Sequence, residues 1–299
     1  MNYLITGGTG LIGQKVIAKL LQGDASITVL TRDINKAKNI LPREVKFTES
    51  LSIADIENND IVINLAGEPI ADKRWSTAQK HKICFSRWSI TENIVSLINA
   101  SKSPPQLFIS GSAIGIYGRQ SSKPINEDFI NFNREFTHTV CDKWESIAMQ
   151  TNSESTRVAL LRTGIVLDKH KGALAKMLLP FRLGVGGKIA HGEQIMSWIH
   201  IEDMVDAIIH IIHHDELYGP INITAENAVS NQYFSSALAK EIRRPCLFTT
   251  PALLLKLIFG EMADLLLYGQ KIYPYKLKSS HFTFKYPTIE SALENLLNP

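Results

Sequence analysis

A chain of 299 residues, 44% hydrophobic and 20% charged, is long enough to bury a full core and has the composition of an ordinary folded protein. Its formal net charge of +3 is dispersed, with no long basic run, which argues against nucleic acid as a partner. Cys84, Cys141 and Cys246 lie far apart without metal-type spacing, so no metal site is expected and a reducing, cytoplasmic setting is.

The first strand is expected at Tyr3–Thr6, a start that leaves no room for a leader peptide. Glycines follow at Gly7, Gly10 and Gly13, and an amphipathic helix is expected over Leu11–Leu21. Strand, tight turn and helix present free backbone N–H groups and the positive end of a helix dipole to an anion, which suits the pyrophosphate of a dinucleotide. Gly7, Thr9, Gly10, Leu11, Ile12 and Gly13 are the cofactor candidates of this turn.

The second strand, Ile27–Thr31, completes the unit. Thr31 stands where an NAD enzyme usually has an acid, and Arg32 can stack on adenine while its guanidinium pairs with a 2′-phosphate. Asp33, about twenty residues past Gly13, also suits an NAD acid. The expectation is NADP(H), with NAD the alternative.

Strands at Val45–Thr48, Ile61–Leu65, Leu107–Ser110 and Val158–Arg162 alternate with helices within Ser76–Ala100 and over Asn133–Gln150. This is the signature of an α/β chain with a Rossmann doubly wound parallel sheet. Loops at the carboxyl ends of such strands line the ligand crevice. Leu65, Ala66, Gly67, Glu68, Ser110 and Gly164 therefore join the cofactor candidates.

After residue 165 the alternation loosens, and a smaller C-terminal substrate lobe is expected over 166–299 on a nucleotide-binding domain over 1–165. A helix through residue 212 follows Ser197–Asp203, with Asp203 as its expected cap. A strand at Ile221–Thr224 and helices near Asn231–Ile242, Pro251–Gly269 and Thr288–Leu297 complete the lobe. Pro251–Leu267 is too short and too charged to span a bilayer, so a membrane is not expected, and its leucines read either as helix core or as the face of a homodimer. Arg74 and Trp75 could clamp an acidic or planar ligand, Arg87 suits an anionic substrate or effector, and Trp198 opens the lobe's helix on the substrate side.

With Thr6–Gly13, Asp60–Gly67, Ser112, Tyr117-Gly118 and Ser197–Asp203, the chain resembles the extended and atypical short-chain dehydrogenase/reductases. It is similar within them to an epimerase/dehydratase-like subgroup with a DUF1731-type C-terminal segment at about residues 250–297. Narrower motifs are Asn64–Ile70 with Arg74-Trp75, Ser86-Arg87, Trp144-Glu145, Leu161–Leu167, Ser197–Ile201 and Gly260-Glu261-Met262. The resemblance implies a serine and a following Tyr-x-x-x-Lys as proton-transfer groups. Ser112 fills the serine position, with Ser110 a second candidate, but no tyrosine stands four residues before Lys143. Aligning Glu145 with the acid common in the wider group puts Thr137 and Cys141 in the Tyr and Lys places. A threonine hydroxyl is a far poorer acid than a phenol with pKa about 10. Tyr117 is the substitute phenol, and His138 is either a second substitute or a surface residue. Three functions stay open: an NADP(H)-dependent epimerase or oxidoreductase of unknown substrate, a non-catalytic NADP(H)-binding sensor or regulatory protein, and a structural partner protein whose glycine loop is vestigial.

Overall fold

The alternating β-branched and amphipathic segments build a seven-stranded parallel sheet in the computed structural model, which describes residues 1–151 and 154–298. Six of its strands precede residue 165: β1 (Asn2–Thr6), β2 (Ser26–Leu30), β3 (Lys46–Thr48), β4 (Ile61–Asn64), β5 (Leu107–Ala113) and β6 (Arg157–Thr163). The short strands β7 (Ile165–Leu167), β8 (Gly187–Ile189), β9 (Ile195–Met196) and β10 (Trp198–His200) pair outside that sheet, and β11 (Gly219–Ile223) returns to it beside β6. The order is β11-β6-β5-β4-β1-β2-β3, so the winding reverses between β1 and β4. That reversal opens a crevice at the carboxyl ends of the strands.

Successive strand residues point to opposite faces, and each face is apolar. Tyr3, Ile5, Ile61, Ile63, Leu107 and Ile109 meet one helical layer, formed by α1 (Leu11–Leu20) and α7 (Ile201–His213) through Val16, Ile17, Met204 and Ile208. Leu4, Val62, Phe108 and Leu160 meet the other, where α4 (Thr77–Ala100) and α5 (Phe136–Ala148) contribute Ile94, Ile98 and Ile147. The minor helices α2 (Ile34–Lys38) and α3 (Ile53–Glu57) are capped by Asp33 and Ser52, while α6 (Gly172–Arg182) precedes β8.

The remaining chain runs β12 (Val229–Ser230), α8 (Asn231–Glu241), β13 (Phe248–Thr250), α9 (Ala252–Phe259), α10 (Asp264–Leu267), α11 (Tyr275–Ser279) and α12 (Ile289–Leu297). A second core joins Leu174, Phe181, Trp198, Phe234 and Leu293. The halves are not separate at residue 165: β11 belongs to the main sheet, and Leu277, Phe282 and Phe284 lie in the core beneath it.

Two local expectations are corrected. The helix expected across Pro251–Gly269 breaks at Gly260, whose φ of 60° a helix cannot carry, and a short turn separates α9 from α10. Leu255 and Leu267 are buried, whereas Leu253 and Leu257 face outward. The cap of α7 is His200, whose Nδ1 accepts the Glu202 backbone N–H at 3.0 Å. Asp203 instead accepts the N–H groups of Lys285 and Tyr286 at 2.8 and 3.1 Å, fastening the C-terminal segment to the first turn of α7. Among the described residues, no helix is long and apolar enough to cross a membrane, and no three metal-ligating side chains cluster.

Candidate functional site

At the crevice the loops after β1 and β4 touch. Gly7 has φ 70°, and a Cβ there would lie 2.6 Å from the Leu65 carbonyl; one on Gly13 would lie 2.4 Å from the Gly7 oxygen. Only glycine fits either place. The Gly10 N–H closes the turn onto Gly7 O at 2.9 Å, and no side chain caps α1, so its positive end stays open to an anion.

A buried relay fixes the facing loop. Thr6 Oγ1 donates to Asn64 Oδ1 at 2.6 Å, and Asn64 Nδ2 donates to Thr91 Oγ1 at 2.8 Å. Thr91 also receives the Trp144 indole N–H at 2.9 Å and donates to Arg87 O at 2.7 Å, which saturates its hydroxyl. The Ala66 N–H reaches Thr6 Oγ1 at 3.3 Å, so Leu65-Ala66-Gly67 is held across Gly7. Arg87 takes part in this scaffold. Its Nη1 donates to the carbonyls of Glu68 and Ile83 at 3.0 and 2.9 Å, while Ser86 Oγ accepts the Glu68 N–H at 2.8 Å. The structure thus places Arg87, expected at an anionic substrate or effector, against this loop.

At the end of β2, Thr31 is half-buried and Arg32 is exposed. Asp33 is committed elsewhere, since its carboxylate accepts the Lys36 N–H at 2.9 Å as the cap of α2.

Ser112 and Tyr117 belong to one buried polar chain. Ser112 Oγ donates to Glu145 Oε1 at 2.6 Å, and Arg162 grips Glu145 through Nε and Nη2 at 3.0 and 2.8 Å. Arg162 Nη1 donates to the Tyr117 hydroxyl at 3.0 Å, which donates to Asn222 Oδ1 at 2.7 Å. The Asn222 N–H ends the chain on Glu127 Oε1 at 3.0 Å.

This placement corrects the catalytic candidates. Tyr117 has no exposed surface, and burial pushes its phenol up to about 12 despite the opposing Arg162 charge. Ser112 is 5% exposed with its hydroxyl turned inward, and Ser110 is fully buried. Burial, with Glu145 adding to it, pushes the Cys141 thiol up to about 12, which makes it inert. His138 is buried, with its Nδ1 2.6 Å from Ile116 O, and is not a surface residue. Lys143 lies on an exposed face, its ammonium 4.4 Å from the Trp88 ring.

A chamber of about 380 Å³ opens beyond the ends of β5 and β6. Gly164, Gly115 and Thr137 line it, and Trp75 forms a wall, its indole N–H bound to Ile70 O at 2.8 Å and its ring edge-on to Phe136 at 4.8 Å. Two expected substrate residues are elsewhere. Trp198 is wholly buried with its N–H on Asn227 O at 3.0 Å, and Arg74 is exposed and packs on Gly260.

Residues 260–270 roof the chamber. Ser197 Oγ donates to Gln270 O at 2.7 Å, Gln194 Nε2 to Leu266 O at 3.0 Å, and Gln270 Nε2 to Ile114 O at 3.3 Å. Arg119 pairs with Glu135 at 2.7 Å and Asp264 at 2.6 Å while lying 3.8 Å over the Tyr268 ring. Sequence reasoning missed Arg119, Gln194 and Gln270; the Gly260-Glu261-Met262 motif was the available signal for the roof.

The model of the NAD dependent epimerase/dehydratase family matches residues 3–224, and that of a domain of unknown function, DUF1731, matches residues 250–296. An epimerase family protein of Staphylococcus saprophyticus is 36% identical over 297 residues, with 99% of each chain covered. The crystal structure of human epimerase family protein SDR39U1 (isoform2) with NADPH matches with TM-score 0.89 at 27% identity, covering 99% of both chains. The nucleoside-diphosphate sugar epimerase from Corynebacterium glutamicum matches with TM-score 0.78 at 27% identity, covering 99% of this chain and 58% of that one.

Proposed function

This chain belongs to the NAD dependent epimerase/dehydratase family, and from that premise we propose that it is an NADP(H)-binding oxidoreductase or epimerase-like protein. The observation that carries the reading is the cradle at Gly7, Gly10 and Gly13, where a Cβ on Gly7 or Gly13 would strike backbone and the start of α1 is left uncapped. Thr9 and the first-turn residues Leu11 and Ile12 would hold the pyrophosphate, and Leu65, Ala66, Gly67 and Glu68 would flank the cofactor across the crevice. Gly164 borders the chamber beside it. NADP(H) is favoured over NAD because Arg32 is exposed for a 2′-phosphate whereas Asp33 is spent on capping α2. The human relative crystallised with NADPH agrees with that choice.

Bound there, NADP(H) would supply hydride exchange with an organic substrate. Thr137, on the chamber wall in the place of the superfamily's tyrosine, can orient a substrate oxygen but is too weak an acid to protonate it. A second reading, a binding protein that senses NADP(H) without turnover, is favoured by one observation: the Ser112 hydroxyl and the Tyr117 phenol are both locked into the Glu145–Arg162 chain. Titration of NADPH fluorescence tests the shared core of both readings, and saturable micromolar binding is expected. A flat titration contradicts them. Consumption of bound NADPH by a carbonyl substrate then selects the enzyme.

A further inference from the structure

Resting on the cofactor reading above, we propose that the roofed chamber takes a neutral, largely apolar organic ligand and excludes nucleotide sugars. Its walls are built from Trp75, Phe136, Met177, Leu265, Leu266 and Tyr268. Apolar walls of this kind bind by removing ligand hydrocarbon from water, with few polar groups to fix orientation.

The charges in the lining point the same way. Among the described residues Arg119 is the one cation there, against the carboxylates of Glu135, Asp264 and Glu261. It is already paired with two of them, and the third pairs with Lys80 at 2.6 Å. Neither Arg87, whose Nη1 is bonded to the Glu68 and Ile83 carbonyls, nor Arg74, exposed on Gly260, lines the chamber. A diphosphate entering the chamber would lose its hydration facing a net negative lining whose cation among the described residues, Arg119, is already paired, and that loss would not be repaid. A neutral ring compound meets no such penalty.

The test uses the full chain saturated with NADP, after NADPH titration has established cofactor binding. Calorimetric affinities are measured for acetophenone, 4-phenyl-2-butanone and 2-acetonaphthone, and for UDP-glucuronic acid. Affinity is expected to rise with ring area and to exceed that of the nucleotide sugar by about tenfold or more, the equivalent of burying roughly two extra methylenes. Met177→Trp, which fills the chamber, is expected to weaken 2-acetonaphthone by about tenfold, and the milder Leu266→Ala by about threefold. Tighter binding of UDP-glucuronic acid than of the ketones overturns the proposal, as does the absence of any rise with ring area. Absence of NADPH binding would instead contradict the cofactor reading on which the proposal rests, so the two failures are separable.

Discussion

Arg162 and Glu145 show how a side chain's role depends on partners that the local sequence does not reveal. The pair is buried, bidentate and linked to Ser112 and Tyr117, so removing one partner strands a charge in a low-dielectric interior. Arg162→Leu is expected to lower the unfolding free energy by about 3–5 kcal/mol in urea titration; a loss below about 1 kcal/mol would show that water reaches Glu145. The glycine cradle is the opposite case. A missing Cβ is written in the sequence itself, and Gly7, Gly10 and Gly13 were legible as a turn for that reason. Gly13→Ala would place a methyl 2.4 Å from Gly7 O, and NADPH affinity is expected to fall by about tenfold or more in fluorescence titration. Unchanged affinity would mean that the turn relaxes without cost. Ser112, Tyr117 and Trp198 were misread because Glu145, Asn222 and Asn227, which bury and bind them, lie 33, 105 and 29 residues away.

Among the elements, α7 carries a pH dependence. Burial holds His200 down to about 4 from an ordinary value of 6.5, and its Nδ1 must stay unprotonated to accept the Glu202 N–H. In the unfolded chain His200 takes up a proton near pH 6.5, whereas in the folded chain it does so only near pH 4. Unfolding therefore binds a proton between those values, and stability falls as pH drops through that window. His200→Asn keeps a neutral capping acceptor and should flatten the decline, recovering on the order of 2 kcal/mol at pH 4 relative to wild type. Identical pH profiles of thermal midpoint would contradict this. Element existence was legible where the period was strong, as in β1, β2, β4 and α1, because continuous apolar runs and a 3.6-residue pattern leave few alternatives. The break after α9 was not, because Leu253, Leu257 and Leu265 continue a helical pattern across it and only the φ of Gly260 interrupts them.

The whole molecule is tied together from its end. The segment after residue 250 roofs the chamber through Leu266 and Gln270 and fills the main core through Leu277, Phe282 and Phe284. A chain ending at residue 249 is expected to lose its cooperative thermal transition, and a sharp transition near the wild-type midpoint would show that this segment is an accessory. Fold class was readable from the βαβ alternation, but the return of β11 to the sheet was not, since its pairing with β6 is set by tertiary packing rather than by proximity in the chain. The crevice that this packing creates is where the central claim lies. Paired fluorescence titrations of wild type and Arg32→Ala with NADPH and NADH test it most directly. The account predicts that wild type binds NADPH at least about tenfold more tightly than NADH and that Arg32→Ala removes most of that preference, as expected for one charge-assisted contact to a 2′-phosphate. Equal or tighter NADH binding by the wild type would contradict it.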